Sequence, residues 1–186
     1  MRYALLFPAS ISSLVLVNPL GLNDTVAQGA PYTPLGALLA EEAKTDAASI
    51  KAYQLHNYYH GQWQPRYDRW VAMLAGQYAS PGDEAVRNAQ ARLPEMIEAQ
   101  PVTAEIPRIA VPTTLIIGEA DLTAFRASSA PADVRGHIQT VPQAAEAAAK
   151  RFPNARLVRL AGLGHAPQVE APGLFQITLL EALLER

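Results

Sequence analysis

Residues 1–24 read MRYALLFPASISSLVLVNPLGLND, and two structures compete for them. One Arg followed by an apolar run has the outline of a secretory leader. Pro8, Ser10, Ser12 and Ser13 interrupt that run and no A-x-A-like site follows, so the outline fits poorly. The alternative is a helical stub at residues 2–7, ended by Pro8, and then a buried strand, Leu14-Val15-Leu16-Val17, stopped by Asn18-Pro19. The rest of the chain follows the grammar of this second reading. It implies that the helix starts before residue 1 and that part of the fold lies upstream.

Working outward, the second half repeats the strand–helix order. Thr113-Thr114-Leu115-Ile116-Ile117 is a short β-branched run of the kind buried on both faces of a parallel sheet, and Gly118 stops it. Residues 142–152 are Ala-rich and helical, ended by Pro153. Arg156-Leu157-Val158-Arg159-Leu160 reads as another strand, stopped by Gly162 and Gly164. Pro172 suits a first helical position, after which Leu174, Ile177, Leu180 and Leu184 recur on a helical face. Three parallel-type strands with crossover-length connections make an α/β fold with a thin sheet. Between the first two strands, residues 23–108 form an insertion of different composition. Its helical segments fall around 35–45, 47–60, 66–78 and 84–99, punctuated by Gly61, Pro65, Pro81-Gly82 and Pro94. The expected organisation is therefore residues 1–22 and 109–186 as a sheet core and 23–108 as a helical subdomain.

Composition narrows the chemistry. Charged residues make up 17% of the 186, against roughly 25% in an average globular chain, so much of the surface is expected to be covered. The net charge of −2 is spread without a basic stripe, which argues against a nucleic-acid partner. The absence of cysteine excludes disulfides, thiolate catalysis and Cys-based zinc sites. No run approaches the roughly 18 apolar residues of a membrane span, so no membrane association is expected.

Two residues sit where a parallel sheet presents its chemistry, beyond the carboxyl ends of strands. Asp121 follows the second strand in Leu115-Ile116-Ile117-Gly118-Glu119-Ala120-Asp121, and His165 follows the third in Ala161-Gly162-Leu163-Gly164-His165-Ala166-Pro167. A carboxylate at one strand end can fix the tautomer of an imidazole at the next, and the imidazole can then take a proton from a nucleophile or water. Each residue also has a plain reading, an Asx turn for Asp121 and a backbone-bonded loop for His165. Their order on successive strands strengthens the chemical one.

These features together resemble the C-terminal part of an α/β-hydrolase: LVLVNP at 14–19, the long helical insertion, VPTTLIIGEAD at 111–121, and RLVRLAGLGHAPQVEAP at 156–172 before a final helix. The resemblance implies an incomplete α/β-hydrolase fold with a helical cap, Asp121 as the acid and His165 as the general base of a triad, and hydrolysis of an ester, amide or similar bond in a small-molecule substrate. It implies no cofactor and no metal. The departure is the nucleophile: the family's G-x-S-x-G elbow is absent, and Ser10, Ser12, Ser13, Ser49, Ser80, Ser128 and Ser129 all lack that glycine spacing. The chain order nucleophile–acid–base places the elbow just upstream of Met1, together with the oxyanion-hole donors. The chain alone is thus expected to be inactive, and to self-associate or pair with an N-terminal half. A non-catalytic remnant serving as a binding module is the competing reading. Cytoplasmic residence is the favoured expectation, with periplasm or secretion open should a leader lie upstream.

Two weaker patterns remain. Tyr53, Tyr58, Tyr59, Trp63, Tyr67 and Trp70 read first as packing inside the insertion and second as the lining of a pocket. His56 and His60, four apart, have the spacing of a metal pair but no third ligand, so packed or solvent-facing histidines are expected.

Overall fold

The computed structural model describes residues 1–184; residues 185–186, the end of the expected core segment, lie outside the described residues. Three strands, β1 (Leu14–Val17), β2 (Thr113–Gly118) and β3 (Ala155–Leu160), form one parallel sheet in the order β1-β2-β3. Leu14 pairs with Thr113 and Val17 with Ile116 on one side, while Thr113 pairs with Ala155 and Gly118 with Leu160 on the other. The helices are α1 (Arg2–Leu6), α2 (Leu35–Glu42), α3 (Ala47–Tyr53), α4 (Asp68–Tyr78), α5 (Asp83–Ala99), α6 (Ala132–Arg135), α7 (Val141–Ala149), α8 (Pro167–Glu170) and α9 (Pro172–Leu184). This is the three-stranded α/β arrangement expected from the sequence.

The central strand shows why its run is apolar at every position. Alternate side chains of a strand face opposite ways, so Leu115 and Ile117 meet one layer and Ile116 the other. On the first face they join Val141, Ala144, Ala145 and Ala148 of α7, with Phe152, Ala4, Ile106 and Ile109. On the second face Ile116 and Leu160 pack with Phe175, Leu179 and Ala182 of α9. Leu115, Ile116 and Ile117 are 0–1% exposed, whereas β1, on the edge, is only half-buried throughout. Each fully buried aliphatic side chain is worth about 1.5–3 kcal/mol, so β2 and the alanine face of α7 anchor the sheet.

The chain between β1 and β2 carries α2 to α5. Helix α3 begins with a capping box, Asp46 accepting from the Ser49 amide while the Ser49 hydroxyl accepts from the Asp46 amide. It then widens into a π turn at Gln54–Tyr58. Ile50, Val71 and Tyr78 form a small core of their own, with Trp63, Leu74, Ala75 and Val86 against it. A charge network, buried at Glu98 and exposed at Glu41, ties these helices to the loop beyond β2: Arg126 Nε lies 3.2 Å from Glu98 Oε1 and its Nη1 lies 2.9 Å from Glu41 Oε2. The Glu98 side chain is 0% exposed, and its other oxygen accepts from the Thr33 amide at 2.6 Å. Among the described residues no helix is long and apolar enough to cross a membrane.

Candidate active site

Strands β2 and β3 end side by side, and their following turns meet. Beyond Gly118 the chain turns so that the Asp121 amide donates back to the Gly118 carbonyl (3.1 Å). The turn and the next loop are laced by the Glu119 amide donating to Leu160 O (3.1 Å) and the Ala120 amide to Leu163 O (2.8 Å). The loop Gly162–His165 passes so close that a Cβ on Gly118 would sit 2.1 Å from the Gly164 carbonyl oxygen. One on Gly164 would sit 2.2 Å from the Tyr58 oxygen. Both positions require glycine because backbone occupies the space of a side chain.

This approach brings together the two residues singled out in the sequence. His165 Nδ1 lies 2.6 Å from Asp121 Oδ2, with the Asp121 side chain 0% and the His165 side chain 19% exposed. The second Asp121 oxygen accepts from the Thr123 amide at 2.8 Å. With both oxygens committed, the carboxylate is fixed in orientation and holds the imidazole by a short charge-assisted bond. Nδ1 then carries the proton and Nε2 is the basic nitrogen. His165 lines a cavity of about 360 Å³ together with Val17, Tyr58, Ala166, Gln168 and Phe175. The sheet end thus offers an acceptor for one proton in the wall of a pocket whose other walls are apolar and aromatic except for Gln168.

The aromatic cluster divides between the two expected readings. Tyr59 and Tyr67 stack at 3.9 Å, are buried, and pack with Ala166, Tyr58, Trp63 and Val169. Tyr58 instead stacks on the His165 ring at 5.0 Å, and its carbonyl accepts the His165 amide at 2.9 Å. Burial, and then the charge of Asp121, pushes the Tyr58 phenol above its ordinary value. The same two influences, with Tyr58 between them in rank, raise Tyr53 to about 12, so both phenols stay neutral beside the pair.

His56 and His60 do not act together. His56 is exposed, while His60 Nε2 lies 3.2 Å from Glu170 Oε2. Glu170 Oε1 accepts the Gly164 amide at 2.7 Å, so this second imidazole–carboxylate pair braces the loop that presents His165. Burial is the main cause that raises the Glu170 carboxyl above its ordinary value. Among the described residues no group of three or more His, Cys, Asp or Glu side chains converges as a metal site would.

Two contributors escape a reading of the sequence. Glu170 sits in an unremarkable helical turn, and Asn18 reads only as a strand stop. In the structure Asn18 is 3% exposed and bonds to both loops, accepting from the Gly118 amide (2.9 Å) and donating to Gly164 O (3.1 Å) and His165 O (2.9 Å). The available signal was positional: Asn18, like Asp121 and His165, lies just past the end of a parallel strand.

Comparison with known proteins adds the following. The sequence model of the alpha/beta hydrolase family matches residues 1–175. A probable hydrolytic enzyme from Pseudomonas aeruginosa PAO1 superposes with a TM-score of 0.91 at 43% identity, covering 98% of this chain and 58% of that one. The enol-lactonase from Burkholderia xenovorans LB400 is similar in fold, with a TM-score of 0.64 at 20% identity over 99% of this chain and 60% of that one. So is the 2-hydroxy-6-oxo-6-phenylhexa-2,4-dienoate hydrolase from Rhodococcus sp. strain RHA1, with a TM-score of 0.60 at 17% identity over 98% of this chain and 58% of that one. The chain therefore spans about three fifths of the length of these solved structures. No curated protein sequence matches it.

Proposed function

The chain belongs to the alpha/beta hydrolase family, and from that premise we propose that it supplies the acid and base of a hydrolytic triad while the nucleophile comes from polypeptide outside these 186 residues. One observation supports the reading above the others: Asp121 and His165 meet at 2.6 Å at the ends of adjacent parallel strands, beside a cavity. His165 Nε2 takes the proton of the attacking hydroxyl or water, and Asp121 steadies the imidazolium that results. The bond to be cleaved is an ester, amide or similar acyl linkage of a small molecule. Residues 23–108 act as a cap, with Tyr58 forming part of its floor. The missing polypeptide pairs along the free edge of β1, as unpaired strand edges recruit partners.

The 186-residue chain alone should release no p-nitrophenol from short acyl esters above buffer. Co-expression with an upstream polypeptide bearing a G-x-S-x-G elbow should restore turnover. His165→Ala should then lower it by about 10²–10⁴-fold. Asp121→Ala added to it should cost little more, because acid and base act as one unit. Restored activity indifferent to both substitutions would break the assignment. Turnover by the chain alone that His165→Ala abolishes, with covalent fluorophosphonate labelling, would show that the chain carries a nucleophile of its own and refute this reading.

A further inference from the structure

Asn18 holds one amide against the main chain of both loops that carry the acid–base pair, and we propose that it is the positioning residue that sets the Asp121–His165 geometry. The inference rests on the triad reading above and concerns how that pair is held in register.

The requirement arises from the sheet. Asn18 makes the last ladder bond of β1, its amide donating to Ile116 O at 3.0 Å. There the chain turns away with φ of 38°, a left-handed conformation that asparagine tolerates better than most residues. Were β1 to continue, its next carbonyl would meet the Gly118 amide. The strand ends instead, and the Asn18 side-chain oxygen takes that place at 2.9 Å. On the other side of the same planar amide, Nδ2 reaches the carbonyls of Gly164 and His165 at 3.1 and 2.9 Å. Left unpaired in this buried position, these main-chain groups would each carry a desolvation cost.

The consequence is geometric. Gly118 opens the turn that ends in Asp121, and Gly164-His165 is the loop that presents the base. A rigid amide whose oxygen holds the first and whose nitrogen holds the second prevents the two from sliding independently. The neighbouring backbone bonds join these loops to each other. Asn18 alone among the described side chains joins both to β1. Aspartate has nearly the same shape and keeps the acceptor for Gly118, but it presents an oxygen to two carbonyl oxygens. Asn18→Asp therefore separates the donating role from the space-filling one.

The test reads the pair without turnover, so its outcome is independent of whether the hydrolytic reading holds. In proton NMR spectra of the 186-residue chain, the His165 Nδ1 proton should appear as a low-field, slowly exchanging resonance, assigned by its loss in His165→Gln. In Asn18→Ala and Asn18→Asp it should vanish or exchange with water at least tenfold faster. Val71→Ala, which opens a cavity in the separate cluster of the insertion, should lower the melting temperature and leave the resonance unchanged. The proposal is overturned by absence of the resonance from the parent chain, by its persistence unchanged in either folded Asn18 variant, or by failure of both variants to fold.

Discussion

Replacing Gly118 by alanine adds one methyl group where backbone stands closer than at any other glycine of the described residues. Ordinary contact for a Cβ begins near 3.4 Å, yet this one would stand 2.1 Å from Gly164 O and 2.5 Å from Leu163 O. Both obstacles are backbone, so no rotamer change relieves them, and the loop that bears His165 must retreat by about 1 Å. The 2.6 Å bond between His165 and Asp121 would then pass the limit of about 3.2 Å for a sound hydrogen bond. Overpacking of this kind costs about 1–3 kcal/mol, and a chain of this size loses about 2–4 °C per kcal/mol. The melting temperature should thus fall by about 2–12 °C. Gly76 provides the matched comparison: it lies in α4 with nothing within 4 Å of its Cβ position. Gly76→Ala should stabilise the chain by about 0.5–1 kcal/mol through helix propensity. Calorimetry of the two variants, with the His165 proton resonance recorded on each, checks the reasoning. If Gly118→Ala melts like the parent and keeps that resonance, the close approach is not a constraint and the argument fails.

Glu170 should contribute a pH dependence of opposite sign to that of most surface carboxylates. Its carboxyl is raised from 4.5 chiefly by burial, so the folded state binds the proton more tightly than the unfolded one. This stability is full below the unfolded value and declines as pH rises through the raised folded value. Melting curves of Glu170→Gln against pH should show that decline removed; parallel curves for variant and parent would contradict it. Arg126→Met should be costly, because it strands the fully buried Glu98 carboxylate. A loss of about 3–5 kcal/mol is expected in urea unfolding, with partial recovery when Glu98→Gln is added. An Arg126→Met variant within about 0.5 kcal/mol of the parent would show that the buried pair is dispensable.

Much of this architecture is written locally. A strand buried on both faces cannot alternate polar and apolar residues, so Leu115-Ile116-Ile117 announces itself as a continuous aliphatic run. Residues 14–17 read the same way although β1, at the edge, is only half-buried. The ladder extends one residue further at Gly118 and at Ala155, where hydrogen bonding rather than side-chain character sets the boundary. Asp121 and His165 are legible because each follows a glycine at a strand end. Asn18 is not, because its partners lie 100 and 146 positions away along the chain and its own neighbours read as a stop. Tyr58 was hidden within an aromatic stripe: the π turn at Gln54–Tyr58 breaks the 3.6-residue period from which packing faces are inferred. Glu170 has no signature at all, since bracing a loop amide needs only a carboxylate and a chance of geometry.

The register of the sheet also implies an order of assembly. Thr113 finds Ala155 across 42 positions but Leu14 across 99. Closing the longer loop costs only about 0.8 kcal/mol more by chain entropy, yet pairings of such separation form late in folding. Asp121 and His165 belong to the unit β2–α7–β3, so their contact is expected to form before the four residues of β1 dock. When β1 docks it lays Leu14 and Leu16 against one core cluster and Val15 and Val17 against the other, and it delivers Asn18. An edge strand is thus the one that brings Asn18 to the acid–base contact, and native-state opening of β1 should blur that alignment while β2 and β3 stay paired.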